Sequence, residues 1–169
     1  MMVTSDYILS QETFPGPLYL PYFVESHRSY GSIAESLQTF FKEPYASRIP
    51  GLFDGTHSNS EVNAQLTETV NELVTDDLLN NLHTGNNFLS LRSDLIENSV
   101  EAWSTSTSIR FYHGTADLNV PPSESQNIYN DFINVSSPHV ELFELQGLTH
   151  ETALVPWGIK SFIWFNALK

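Results

Sequence analysis

Beyond Trp103 the sequence reads strand, helix, strand, helix, and no segment before it offers a convincing further strand. Ser108-Ile109-Arg110-Phe111-Tyr112 is short, rich in β-formers and stopped by His113-Gly114. Pro121-Pro122-Ser123 opens a helix on which Ile128, Phe132 and Ile133 share a face. Val140 to Leu145 reads as the second strand, ended by Gln146-Gly147. A last helix runs from about Thr152 to Leu168, with Pro156 tolerated because it falls near the first turn. A strand, a crossover helix and a strand imply a parallel pair wound right-handed. Two such strands leave both edges and much of both faces unpaired, whereas parallel sheets are normally larger and covered. The pattern predicts an α/β chain that carries a piece of a larger sheet.

The residues before that point read differently. From Pro15 to about Val100 short helical segments are punctuated by Pro and Gly, with no period-two alternation. An aromatic-rich segment spans Leu18 to about Tyr30. Ile33, Leu37, Phe40 and Phe41 fit one face of a helix over 33–41. Ser58 and Glu61 have capping-box spacing and predict a helix through Leu66. Thr75-Asp76-Asp77 suits the start of a helix over Leu78 to Leu82, with Gly85 at its exit, and Phe88, Leu91, Leu95 and Ile96 suit a further amphipathic helix. The aromatics Tyr19, Tyr22, Phe23, Phe40 and Phe41 could line an acyl pocket, but their helical spacing favours ordinary core packing. Two regions are expected, a helical one over 1–100 and an α/β one over 101–169.

Composition removes several classes of function. Seven Lys and Arg against twenty Asp and Glu give a net charge of −13, a field that repels phosphate backbones and anionic headgroups. Nucleic acid is therefore not an expected partner. With no cysteine there is no disulfide, thiolate metal site or cysteine nucleophile. Met1 to Ser10 lacks a basic segment followed by an apolar one, so no signal peptide is expected within it. The longest strongly apolar run, Ser161 to Leu168, is far short of the roughly 20 residues that span a bilayer. No membrane span is expected.

The chemistry lies in the two loops that follow the strands. The first reads His113-Gly114-Thr115-Ala116-Asp117-Leu118-Asn119-Val120-Pro121, and the second ends in Gly147-Leu148-Thr149-His150. Ligands of open parallel sheets sit at the carboxyl ends of the strands, and one crossover unit separates Asp117 from His150. Neighbouring loops are thereby brought side by side. An Asp that accepts the imidazole Nδ1–H fixes the tautomer and leaves Nε2 as a general base. Asp117 could equally serve as an Asx-turn residue, and His150 as a polar residue near a helix start.

At these residues the sequence resembles the α/β-hydrolase family. HGTADLNVP is similar to the family's acid loop, and GLTH followed by a helix is similar to its catalytic-histidine loop. FKEPYASRIPGLFDG and ENSVEAW resemble the helical insert, and the exit from it, of bacterial secreted esterase and lipase-like members. The resemblance implies the C-terminal portion of an α/β-hydrolase fold, two parallel strands with helices, preceded by a mainly helical cap. It implies Asp117 as catalytic acid, His150 as catalytic base and a small-molecule carboxylic ester as substrate, with neither cofactor nor metal. Complete relatives of this kind are often secreted or periplasmic.

One part of the family pattern is missing from the sequence. No Gly-x-Ser-x-Gly elbow occurs. The nearest string, His27-Arg28-Ser29-Tyr30-Gly31, lacks the first glycine and follows no strand, so Ser29 is not expected to be a nucleophile. The resemblance therefore implies that the serine and the first strands of the sheet lie N-terminal to Met1. Alternatives are a peptidase of the same fold and a non-catalytic module that binds without turnover. His113 with Asp117 and His150 could be imagined as a two-histidine, one-carboxylate metal site, but the family match accounts for the latter two without metal. His27, His57, His83 and His139 show no spacing that suggests a shared site, and Asn134-Val135-Ser136 fits a glycosylation acceptor only formally.

Overall fold

The computed structural model describes residues 2–168, with side chains from Ser5 to Leu168. Met1 and Lys169, the outer ends of the two expected regions, lie outside the described residues. The chain divides into two compact units, Met1–Ser99 and Val100–Lys169.

The first unit is helical. Its elements are α1 (Met2–Ser10), α2 (Tyr19–Ser29), α3 (Leu37–Phe40), α4 (Tyr45–Leu52), α5 (Asn59–Asn63), α6 (Val70–Leu73), α7 (Asp76–Asn81) and α8 (Leu89–Glu97), with a 3-10 turn over Asn86–Phe88. Most are too short to be stable alone, so packing must hold them. The core that does so is assembled from Phe14, Val24, Phe40, Ile49, Leu78 and Phe88 with their buried neighbours. Phe23, Phe40 and Phe41 are buried in it, while Tyr19 and Tyr22 are exposed. The aromatics therefore build a core.

Two helix starts follow the chemistry of their caps. Thr75 Oγ1 accepts the Leu78 amide at 3.2 Å, opening α7. Ser58 and Glu61 form the full capping box at α5, the Ser58 N–H donating to Glu61 Oε2 at 2.8 Å. That backbone hydrogen bond, followed by the one from the Ser58 hydroxyl, holds the Glu61 carboxyl below the ordinary glutamate range. A carboxyl that binds its proton less tightly when folded stabilises the fold above its ordinary range and loses that contribution as pH falls through the lowered value. Acid titration of stability followed by circular dichroism should therefore show a shallower acid limb in Glu61→Gln than in the wild type.

Several boundaries differ from the sequence expectation. The helix over 33–41 shrinks to the single turn α3, because Ser36 and Phe41 are extended and Phe41 instead bridges Val74. All four apolar residues of that segment are nonetheless buried, so helical spacing here reported burial without helix. The helix expected to reach Leu66 ends at Asn63. Gly85 precedes the 3-10 turn with ordinary negative φ and is not a left-handed exit residue. Ile96, expected on the packed face of α8, is exposed.

A polar cross-link ties α2 to α8. Asp94 is buried, and its Oδ2 accepts from His27 Nδ1 at 2.8 Å and from Ser32 Oγ at 2.6 Å. The His27 ring stacks on Phe23 at 4.2 Å between centroids. Removing the carboxylate leaves two donors without their acceptor, at a cost of about 2–3 kcal/mol. Urea unfolding followed by circular dichroism should show Asp94→Ala losing that much stability.

The second unit holds β1 (Ile109–Gly114), α9 (Pro122–Asn134), β2 (Val140–Leu145) and α10 (Leu154–Ala167). β1 and β2 pair in parallel, with Ile109 opposite Val140 and Gly114 opposite Leu145. β1 thus runs through the expected stop at His113-Gly114, two residues past Tyr112, because the ladder with β2 extends over both. Phe132 is the buried anchor of α9, packing on Trp103 and Phe111, while Ile133 faces out. α10 begins two residues later than expected, after a turn at 150–153.

This unit is short of core. Among its described residues the only buried hydrophobic side chains are Phe132, Val140 and Leu145. Leu154, Val155, Ile159, Phe162, Ile163 and Phe165 of α10 are all exposed. A helix apolar all round is normally enclosed. On the sheet, where exposed apolar surface was expected around Ile109, Phe111, Leu142 and Phe143, the structure leaves all four half-buried. Phe143 is stacked by Tyr112 and covered by the Arg110 guanidinium, which also lies over Trp164 of α10. The largest exposed apolar surface is therefore the helix.

Candidate active site

Two loops at the carboxyl ends of β1 and β2 meet in the second unit. Backbone and side-chain bonds stitch them together: Ala116 N–H donates to Leu148 O at 3.0 Å, and Gly147 N–H donates to Thr115 Oγ1 at 2.8 Å. Gly147 turns the chain out of β2 with φ 70°. Gly114 permits the approach, since a Cβ there would fall against the Leu148 carbonyl oxygen and lie 3.0 Å from Thr149 O. Both obstructing atoms are backbone, which cannot swing aside as a side chain would. Gly114→Ala should cost about 1–3 kcal/mol through this overpacking. Urea unfolding followed by the fluorescence of Trp103, Trp157 and Trp164 measures that loss.

Within this junction Asp117 is buried, with its two oxygens divided between two tasks. Oδ1 accepts the backbone N–H groups of Asn119 and Val120, each at 2.9 Å, which is the Asx-turn role. Oδ2 lies 2.8 Å from His150 Nδ1. The carboxylate makes the Asx-turn bonds and the imidazole contact at once.

His150 sits in a turn held by reciprocal bonds. Thr149 N–H donates to Thr152 Oγ1 at 2.7 Å, and Thr152 N–H donates to Thr149 Oγ1 at 3.3 Å. Glu151, its neighbour, accepts from Asn119 Nδ2 at 3.3 Å and so links the turn to the Asp117 loop. The imidazole is 44% exposed, and Nε2 has no hydrogen bond among the described residues. A ring whose Nδ1–H is held by a carboxylate keeps its lone pair on Nε2. That nitrogen is open to a reacting group.

Other histidines have partners of their own. His113 is engaged at both ring nitrogens, with Nδ1 at 2.6 Å from Ser125 Oγ and Nε2 at 2.9 Å from Val120 O. It is not disposed as a ligand, and the described residues contain no cluster of three or more groups able to hold a metal ion. His83 pairs with Asp6 at 2.9 Å, and His57 lies 3.5 Å from Asp54. Ser29 is the last residue of α2 and follows no strand. The bond from Ser125 to His113 went unseen in the sequence because it joins a strand end to the first turn of a helix twelve residues on, a proximity set by the loop between them.

Two crystal structures share the fold. A proposed hydrolase from Legionella pneumophila superposes with a TM-score of 0.79 at 23% identity, covering 95% of this chain and 43% of the other. The rice cell-wall-degrading esterase LipA from Xanthomonas oryzae superposes with a TM-score of 0.69 at 20% identity, covering 90% of this chain and 42% of the other. The chain has a partial α/β-hydrolase fold. It spans less than half the length of these two hydrolase-fold proteins. No family model matches the sequence, and no curated protein matches it. The likeness is carried by structure, in both the strand–helix pairs and the helical segments. Among the described residues of this partial hydrolase fold, no helix is long and apolar enough to cross a membrane.

Proposed function

We propose that this chain supplies the acid and the base of a serine carboxylesterase whose nucleophile is carried on a segment outside it. The observation that carries the reading is the contact between Asp117 Oδ2 and His150 Nδ1, with the imidazole half-exposed. In the complete site a serine hydroxyl beside Nε2 attacks the ester carbonyl as His150 takes its proton. Asp117 stabilises the imidazolium, and His150 then returns the proton to the leaving alcohol. Water repeats the cycle on the acyl-enzyme and frees the acid. Proton transfer of this kind needs only these two side chains, which suits a site without metal or cofactor. The helical unit would act as the cap that selects the acyl group.

The partner of this chain is then the remainder of the hydrolase fold. The exposed apolar residues of α10 and the two open sheet edges support that reading, because a parallel pair is stable when further strands and helices enclose it. The two hydrolase-fold structures each possess more than half a chain beyond the matched portion.

Co-expression with the polypeptide encoded upstream of codon 1 tests the proposal. Hydrolysis of p-nitrophenyl esters by the assembled pair, with none by this chain alone, is the expected result. A folded chain that gains no activity from that polypeptide, or for which no in-frame Gly-x-Ser-x-Gly exists upstream, would favour a binding module.

A further inference from the structure

We infer that His113 is a positioning residue for the Asp117–His150 pair, a second imidazole whose Nε2–H holds the Val120 loop that fixes the acid. The inference rests on the proton-transfer role proposed for that pair. His113 is the penultimate residue of β1, and its side chain is only 10% exposed. Nε2 lies 2.9 Å from the Val120 carbonyl oxygen, which can only accept, so Nε2 carries the proton. The lone pair of the neutral ring is then on Nδ1, where the Ser125 hydroxyl donates at 2.6 Å. Ser125 belongs to the first turn of α9, so the helix start fixes the plane of the ring.

The same Nε2 stands 3.4 Å from Asp117 Oδ2. This is not a hydrogen bond, because the single Nε2–H is given to Val120 O, and His113 acts on the acid through the Val120 loop. Asp117 is held by three N–H groups, Asn119 and Val120 at Oδ1 and His150 at Oδ2, with the His113 ring beside them. Such a surround fixes the carboxylate plane. Val120 ties the arrangement together, since its N–H donates to Asp117 and its carbonyl accepts from His113. The two imidazoles at this carboxylate carry opposite tautomers, Nε2–H on His113 and Nδ1–H on His150. A displaced His113 would let the Val120 loop and Asp117 shift and loosen the bond from the His150 Nδ1–H.

Nitrogen-15 NMR of the histidine rings in the full chain tests this directly. The wild type should show both tautomers as assigned and a slowly exchanging His150 Nδ1 proton. His113→Phe keeps the ring and removes its N–H. It should speed exchange of the His150 proton about tenfold, the equivalent of one hydrogen bond's net contribution. His113→Gln, which can restore a donor, should recover most of the protection. Should the phenylalanine variant fail to fold, Ser125→Ala decides the matter: it frees the ring, and faster exchange at His150 is expected. Unchanged exchange in the deciding variant, or a wild-type His113 protonated on Nδ1 alone, overturns the inference and leaves the Asp117–His150 pair standing. A wild-type His150 protonated on Nε2 would instead sink the pair itself.

Discussion

In the assembled esterase, His150→Ala should lower kcat by about a millionfold and Asp117→Asn by about ten-thousandfold, the scale of losses when the base or its orienting acid is removed from a serine triad. The asymmetry follows from the geometry. His150 Nε2 is the atom that would receive the serine proton, so without the ring the hydroxyl stays a poor nucleophile. Asp117 acts one step removed, through its contact with Nδ1 at 2.8 Å. Asparagine in its place can present an N–H towards Nδ1 and favour the wrong tautomer. KM should change little in either variant, because neither side chain is assigned a contact with the acyl group. Steady-state kinetics on p-nitrophenyl esters measures both effects, and equal losses for the two variants would point to a collapsed site.

The second large effect concerns the surface of α10. This chain alone should bind a hydrophobic dye strongly, and association with the rest of the fold should abolish the signal. Phe162 is 70% exposed and Phe165 is 59% exposed, so each has most of its surface still to bury. Full burial of one such side chain contributes about 1.5–3 kcal/mol. Replacing both with lysine should therefore weaken association by at least about a hundredfold. The pair of substitutions should also reduce dye binding while leaving the helical unit intact by circular dichroism. Undiminished association would show that some other surface makes the contact.

Much of the second unit is legible in the sequence because its signals are local. The β-formers of 109–112 and 140–145, the prolines at 121 and 122 and the glycine at 147 each act within a few residues, and the structure places β1, α9 and β2 accordingly. The pairing of Asp117 with His150 follows from topology, since one right-handed crossover brings the two strand-end loops together. The helical unit is less legible. Its segments are short, and tertiary contacts decide where they stop, as at Phe41, which leaves the helix to bridge Val74. His27 and Asp94 meet across 67 residues, a contact that no local pattern announces. Nor does a local pattern announce the approach of His113 to Asp117, which depends on the way the loop folds back to bring the Val120 carbonyl to Nε2.

Labelling with a fluorophosphonate, followed by peptide mapping, tests the central claim most directly when applied to the polypeptide that joins this chain to its upstream sequence. The account predicts a single labelled serine, located before Met1 in a Gly-x-Ser-x-Gly turn, with labelling abolished by His150→Ala. Labelling at Ser29, or labelling that persists unchanged without the His150 imidazole, would contradict it.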